Sequence, residues 1–136
     1  MKRAPFLLLT LLWWSLVLIT SGDAVSGDWS RRLLAEWFGL AGTGLDVANY
    51  VIRKTAHLAY YGALAALLAH SLVTTLSSRT RRAAVVGVLL AVATGVFDET
   101  RQALHESRTA SAWDVLYDAV GATIAAWVYT RRAEGK

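Results

Sequence analysis

The sequence predicts an all-α fold: an integral membrane bundle of four transmembrane helices, with the N and C termini cytoplasmic. Three observations predict it. Four apolar segments approach spanning length, at about residues 5–21, 49–76, 83–104 and 112–130. A hydrocarbon layer of ~30 Å needs about 20 mostly apolar residues to cross it. Lys and Arg cluster beside these segments on what becomes one side of the membrane. Finally, 55% of the 136 residues are apolar and only 18% charged, too few charges to give each helix of a soluble bundle a solvated face. That length is one domain, 1–136. The apolar content excludes a disordered chain, and the absence of cysteine excludes a disulfide scaffold or a thiolate metal site.

The first segment reads PFLLLTLLWWSLVLITS, without a charge. A basic start and a polar exit at Thr20, Ser21 and Gly22 also describe a signal peptide. Paired Trp13 and Trp14, and the lack of a small-x-small cleavage site, favour a retained span. Residues 29–41 bring Trp29, Leu33, Leu34, Trp37, Phe38 and Leu40 near one face, the pattern of a helix lying in the membrane interface. The second segment runs through TAHLAYYGALAALLAHSLVTTL, the third through AAVVGVLLAVATGVF, and the fourth through AWDVLYDAVGATIAAWVYT.

Orientation follows from basic residues in short loops. Lys2 and Arg3, then Arg79, Arg81 and Arg82, then Arg131, Arg132 and Lys136 all fall on the cytoplasmic side if there are four spans. These eight account for the net charge of +4, and the spans and outer face retain more acidic than basic residues. The basic total therefore records topology and does not point to nucleic acid.

Ionisable residues inside spans are costly and mark function. Span 2 opens with Arg53, Lys54 and His57; span 3 closes with Asp98, Glu99, Arg101 and Gln102; span 4 opens with Asp114 and Asp118. All are outer ends. At ~1.5 Å per residue, Asp98 and Asp118 each lie ~9 Å inside their spans and His57 ~12 Å, with Lys54, Gln102 and Asp114 shallower. Short aspartate side chains cannot snorkel far, so a shared buried cluster is expected. Lys54, His57, Tyr61 and Ala65 step along one face, as do Asp114, Asp118, Gly121 and Ala125. Gly87, Ala91, Gly95, Glu99 and Gln102 form a small-residue stripe bordered by Asp98, which permits close helix approach.

Such a pocket offers acid–base chemistry: a buried carboxylate pair can divide into one acid and one base, and His57 can move protons. His57, Asp98, Glu99 and Asp114 are the candidate catalytic residues; Lys54, Tyr61, Gln102, Arg108 and Asp118 are the candidate ligand-binding residues. The carboxylates could hold a divalent cation, although no tight ligand spacing is present. Lys54 and Arg108 are the expected counter-charges. Ser111 reads as the N-cap of span 4, with Asp114 in its first turn. His70 reads as interfacial at the cytoplasmic end of span 2, and His105 as a loop residue.

The pattern resembles the VanZ-like family, small bacterial membrane proteins named after a teicoplanin-resistance protein. Lys54-Thr-Ala-His57-Leu-Ala-Tyr-Tyr61 is similar to the family's Lys-x-x-His-x-x-x-Tyr, and Asp98-Glu99-Thr-Arg-Gln102 to its Asp-Glu-x-x-Gln. Arg108, Asp114 and Gly121 follow as its Arg…Asp…Gly run does. The resemblance covers about 49–130. It departs at Tyr60, where a carboxylate is usual, at Asp118, where asparagine is usual, and at Glu106, near a usual proline; a carboxylate moved from span 2 to span 4 would conserve the cluster's charge. The resemblance implies an envelope role linked to glycopeptide resistance. The expected function is binding, with or without processing, of an anionic lipid or lipid-linked head group, or a glycopeptide, at the outer face of the bacterial cytoplasmic membrane. A non-catalytic envelope or partner-binding protein, homo-oligomeric through its small-residue faces, is the alternative; a small carrier ranks below both, because the polar groups sit at one side of the bilayer and not at its midplane.

Overall fold

The computed structural model describes residues 4–20, 27–104 and 111–135; Arg108 and His105 lie outside them. Among the described residues 92% are helical and none is in a strand. The helices are α1 (Ala4–Thr20), α2 (Gly27–Phe38), α3 (Gly42–Leu76), α4 (Thr80–Ala103) and α5 (Ala112–Glu134). α3 is the axis: α4 and α5 pack along it and on each other, while α1 and α2 each lean on it. α3 and α4 are long and apolar enough to cross a membrane, and α1 is a shorter apolar helix.

The boundaries differ from the sequence expectation at two points. α2 stops at Phe38 because Gly39 takes φ +63°, a left-handed conformation that suits glycine and ends helices. α3 begins at Gly42, seven residues before the expected 49. The added turns are held by α2: Ser30 Oγ donates to Asn49 Oδ1 at 2.6 Å, Arg31 Nη1 meets Asp46 Oδ1 at 2.5 Å, and Leu34 and Leu45 are buried.

The core is built for close approach. Leu64, Ala65, Leu68, Ala91 and Ala122 are buried with Val17 of α1, and Trp13, Trp14 and Val88 pack against them. A Cβ on Gly87 would stand 2.6 Å from the Ala65 carbonyl oxygen, and one on Gly121 only 2.3 Å from that of Leu58. Glycine is required there because backbone meets backbone. Outward faces are apolar instead: Leu8, Leu12 and Ile19 on α1, Val85 and Leu89 on α4, Ile124 and Trp127 on α5 are exposed, while Asp98, Glu99, Asp114 and Asp118 are buried. This inverts the arrangement of a water-soluble bundle.

α1 is fixed by hydrogen bonds as well as by Val17. Buried Thr10 donates to the Phe6 carbonyl at 2.8 Å and shares a 2.8 Å hydroxyl contact with Ser71, and Trp13 Nε1 donates to the Tyr60 carbonyl at 3.0 Å. Thr10→Val should lower the melting temperature in detergent by a few degrees, since a buried hydrogen bond contributes about 1 kcal/mol. An unchanged melting curve would show that the hydroxyl pair does not hold α1. At the opposite end His70 stands edge-on to Phe6 and Tyr129, joining α1, α3 and α5. There Arg81 Nε donates to Glu134 at 2.7 Å, holding that exposed carboxyl below its ordinary range. Any stability from that pair is present above the usual carboxylate pKa, lost as pH falls, and small at an exposed site.

Candidate functional site

α3 and α5 run parallel, so the helical spacing of their polar residues brings them together in rungs. Lys54 bonds to Asp114, and one turn deeper His57 Nδ1 lies 2.8 Å from Asp118 Oδ1. α4 runs antiparallel and delivers its last turns to the same level. Gln102 Nε2 donates to Asp98 Oδ2 at 2.8 Å, and Glu99 accepts the Ser111 backbone N–H at 2.8 Å. Asp98 and Asp118 are each 1% exposed and Tyr61 is 2% exposed. The Tyr61 ring lies nearly parallel to that of His57, 12° between planes and 6.1 Å between centroids.

Eight of the nine candidate residues thus come together: Lys54, His57, Tyr61, Asp98, Glu99, Gln102, Asp114 and Asp118. The ninth, Arg108, lies outside the described residues, and Lys54 is the counter-charge that the sequence led one to expect. Four further contributions come from residues outside the nine candidates. Tyr50 and Tyr117 flank the Lys54 ammonium at 5.2 and 5.4 Å from their ring centroids, a cation–π clamp. Gly95 leaves room for Asp118: a Cβ there would sit 2.6 Å from Asp118 Oδ2. Arg101 Nη1 donates to the Leu18 carbonyl at 3.3 Å and stands 4.0 Å from Asp98 Oδ1. Ser111 occupies the N-cap position of α5, but its hydroxyl makes no cap bond; its backbone N–H donates to Glu99. The place of Gly95 in the small-residue stripe and of Ser111 at the start of span 4 is legible in the sequence, but these particular contacts are not, because each depends on a neighbouring group.

Tyr60 bears on the idea of a carboxylate exchanged between positions 60 and 118. Its ring stands edge-on to Trp13 of α1, 5.9 Å between centroids. A carboxylate at 60 would be offered to the α1 side, whereas Asp118 serves His57, so the two positions do different work.

The chemistry of the cluster is dominated by acceptors. Among the described residues, Tyr61 Oη, Asp98 Oδ1, Glu99 Oε1 and Asp118 Oδ2 are buried with no hydrogen-bond partner. Buried polar atoms are normally satisfied, so this interior is shaped to receive a donor: a proton, a hydroxyl, an amide or an amine. A carboxylate on His57 Nδ1 orients the ring and leaves Nε2 as the nitrogen that accepts a proton. Among the described residues no group of three or more His, Asp or Glu converges closely enough to hold a metal ion.

No curated protein and no solved structure matches the sequence. The family profile described as VanZ/LLP1 matches residues 6–132. That match takes in all the described part of the cluster and nearly all of α1 besides, well beyond the three short sequence elements, and on that extent the chain belongs to the VanZ/LLP1 family.

Proposed function

We propose that the chain is a four-span protein of the bacterial cytoplasmic membrane, with α1, α3, α4 and α5 as spans and both termini cytoplasmic. Its buried site receives, at the outer leaflet, the head group of an anionic lipid or a lipid-linked cell-envelope precursor. The observation that carries this reading is the set of four buried oxygens that have no hydrogen-bond partner among the described residues, around the His57–Asp118 pair. A sugar- or peptide-bearing head group is rich in hydroxyl and amide donors, and its donors would complete the site.

The apolar outward faces of α1, α4 and α5 support the membrane placement, and the exposed Trp29, Trp37 and Phe38 of α2 suit a helix at the interface. His57 would take a proton from a bound hydroxyl or water, with Asp118 stabilising the imidazolium that forms. Lys54 is neutralised by Asp114, so its role is to hold α3 and α5 in register and to polarise the mouth of the site. Family membership adds the envelope context and a link to teicoplanin resistance, whose target lies on the same outer face. The non-catalytic reading shares the binding step and differs only in whether His57 moves a proton.

The purified protein in detergent should be protected against heat by one class of envelope lipid from a panel spanning phosphatidylglycerol, cardiolipin and polyprenyl-linked precursors. No protection by any member, with and without magnesium, would remove the head-group reading.

A further inference from the structure

Lys54 faces two environments. On one side it meets Asp114 and the buried acceptors. On the other it lines a cavity of about 230 Å³ between α2 and α3, together with Arg31, Asp46, Asn49, Tyr50 and Arg53. This second space has the opposite chemistry. Three of its six lining residues are cationic and one is a carboxylate. Arg31 gives one guanidinium nitrogen to Asp46, which leaves the other donors of its five-donor fork uncommitted to that bond. Arg53 makes no ion pair among the described residues. The Asn49 carbonyl oxygen is used by Ser30, which turns its amide donors into the remaining polar offer of that side chain. The cavity is small beside ligand pockets, which run from about 300 Å³ upward, so it suits a compact group and not a whole lipid.

We propose that this α2–α3 cavity is an anion subsite that binds a phosphate-type group, a phosphomonoester or phosphodiester, through Arg53 and Arg31. Lys54 joins it to the buried cluster. A ligand carrying a phosphate beside hydroxyl or amide donors is then matched twice: its anion by the donor-rich cavity, its donors by the acceptor-rich interior. The subsite deepens the head-group reading and rests on it for the membrane face on which the cavity opens; its affinity for phosphate does not depend on any reaction at His57.

The test uses the full chain. Inorganic phosphate is titrated in uncharged detergent at constant ionic strength and the melting temperature followed, and the same variants are compared in nanodiscs of phosphatidylglycerol and of phosphatidylcholine. Phosphate should raise the melting temperature of the parent protein saturably. Arg53→Gln should weaken the apparent affinity about tenfold, the loss of one charge-assisted contact. Asp46→Asn, which removes the carboxylate competing for Arg31, should tighten it. Response to free phosphate identifies a soluble anion as sufficient, and response to phosphatidylglycerol nanodiscs alone identifies a lipid head group; either supports the subsite. An identical response of the parent, Arg53→Gln and Asp46→Asn proteins to both probes overturns it. Asp118→Ala should keep the phosphate response, so a failure of the head-group reading at the buried cluster leaves this measurement standing.

Discussion

Gly121→Leu should prevent α3 and α5 from closing, with the protein recovered as aggregate or with a melting temperature lowered well beyond that of any surface substitution. A Cβ at this position meets the Leu58 carbonyl oxygen at 2.3 Å and its Cα at 2.8 Å, and opposite it a Cβ on Gly62 would already stand 3.0 Å from the Gly121 oxygen. These are backbone atoms of a buried helix and cannot rotate aside. Overpacking of a tight interior costs about 1–3 kcal/mol where side chains can yield, and here the helices themselves must separate. The separation would also pull His57 from Asp118 and Lys54 from Asp114, one and two turns nearer the N-terminus of α5. Val120→Leu adds bulk one residue away on an exposed face and should be nearly neutral. Equal behaviour of the two variants, read by size-exclusion profile and melting temperature, would refute the backbone contact.

Asp118→Ala should abolish function in a protein that still inserts and folds. The aspartate is 1% exposed, contributes Oδ1 to His57 at 2.8 Å and rests Oδ2 against Gly95. Removing it leaves His57 unoriented and its imidazolium without a counter-charge. General-base assistance is worth about 10²–10⁴-fold, and under the proposed proton-transfer role the loss should be of that order. The stability cost is smaller, about 1–3 kcal/mol for an abandoned hydrogen-bond partner. The sharper measurement is the cycle: if the two side chains act as a unit, His57→Ala and the Asp118→Ala double variant are no worse than either single one. Losses that multiply would separate them. Full retention of function by folded His57→Ala would leave binding without proton transfer as the role of the site.

Much of this site was legible before any coordinates. Lys54, His57 and Tyr61 repeat at helical spacing, as do Asp114 and Asp118, and matching their depths from the ends of their spans aligned the correct rungs. That worked because a helix converts sequence separation into height with little freedom. What failed to show was everything supplied laterally. The first seven residues of α3 contain two glycines and an aspartate and look like a loop, yet Arg31, Ser30 and Leu34 of α2 hold them helical. Thr10 reads as a minor blemish in an apolar run, and only the Ser71 hydroxyl beside it gives it a purpose. Ser111 has the residue type and position of a cap, but its hydroxyl makes no cap bond, while its N–H donates across to Glu99 of α4. Tertiary partners decided each of these cases, and no local pattern encodes them.

The length of α3 has a consequence for where the protein can work. Its 35 residues extend roughly 50 Å, against a hydrocarbon layer of ~30 Å. Tilt absorbs part of the excess, and under the proposed placement the rest rises above the lipid tails as a post, braced by α2. His57 lies fifteen residues from the start of α3 and Arg53 eleven, while Arg31 of α2 meets Asp46 nearer the top. Under that placement bilayer thickness would set which of the two levels meets the plane of the lipid phosphates. A thin membrane lifts the arginines clear of it, a thick one draws them beneath it, and hydrophobic mismatch becomes a control on access to the aspartates below.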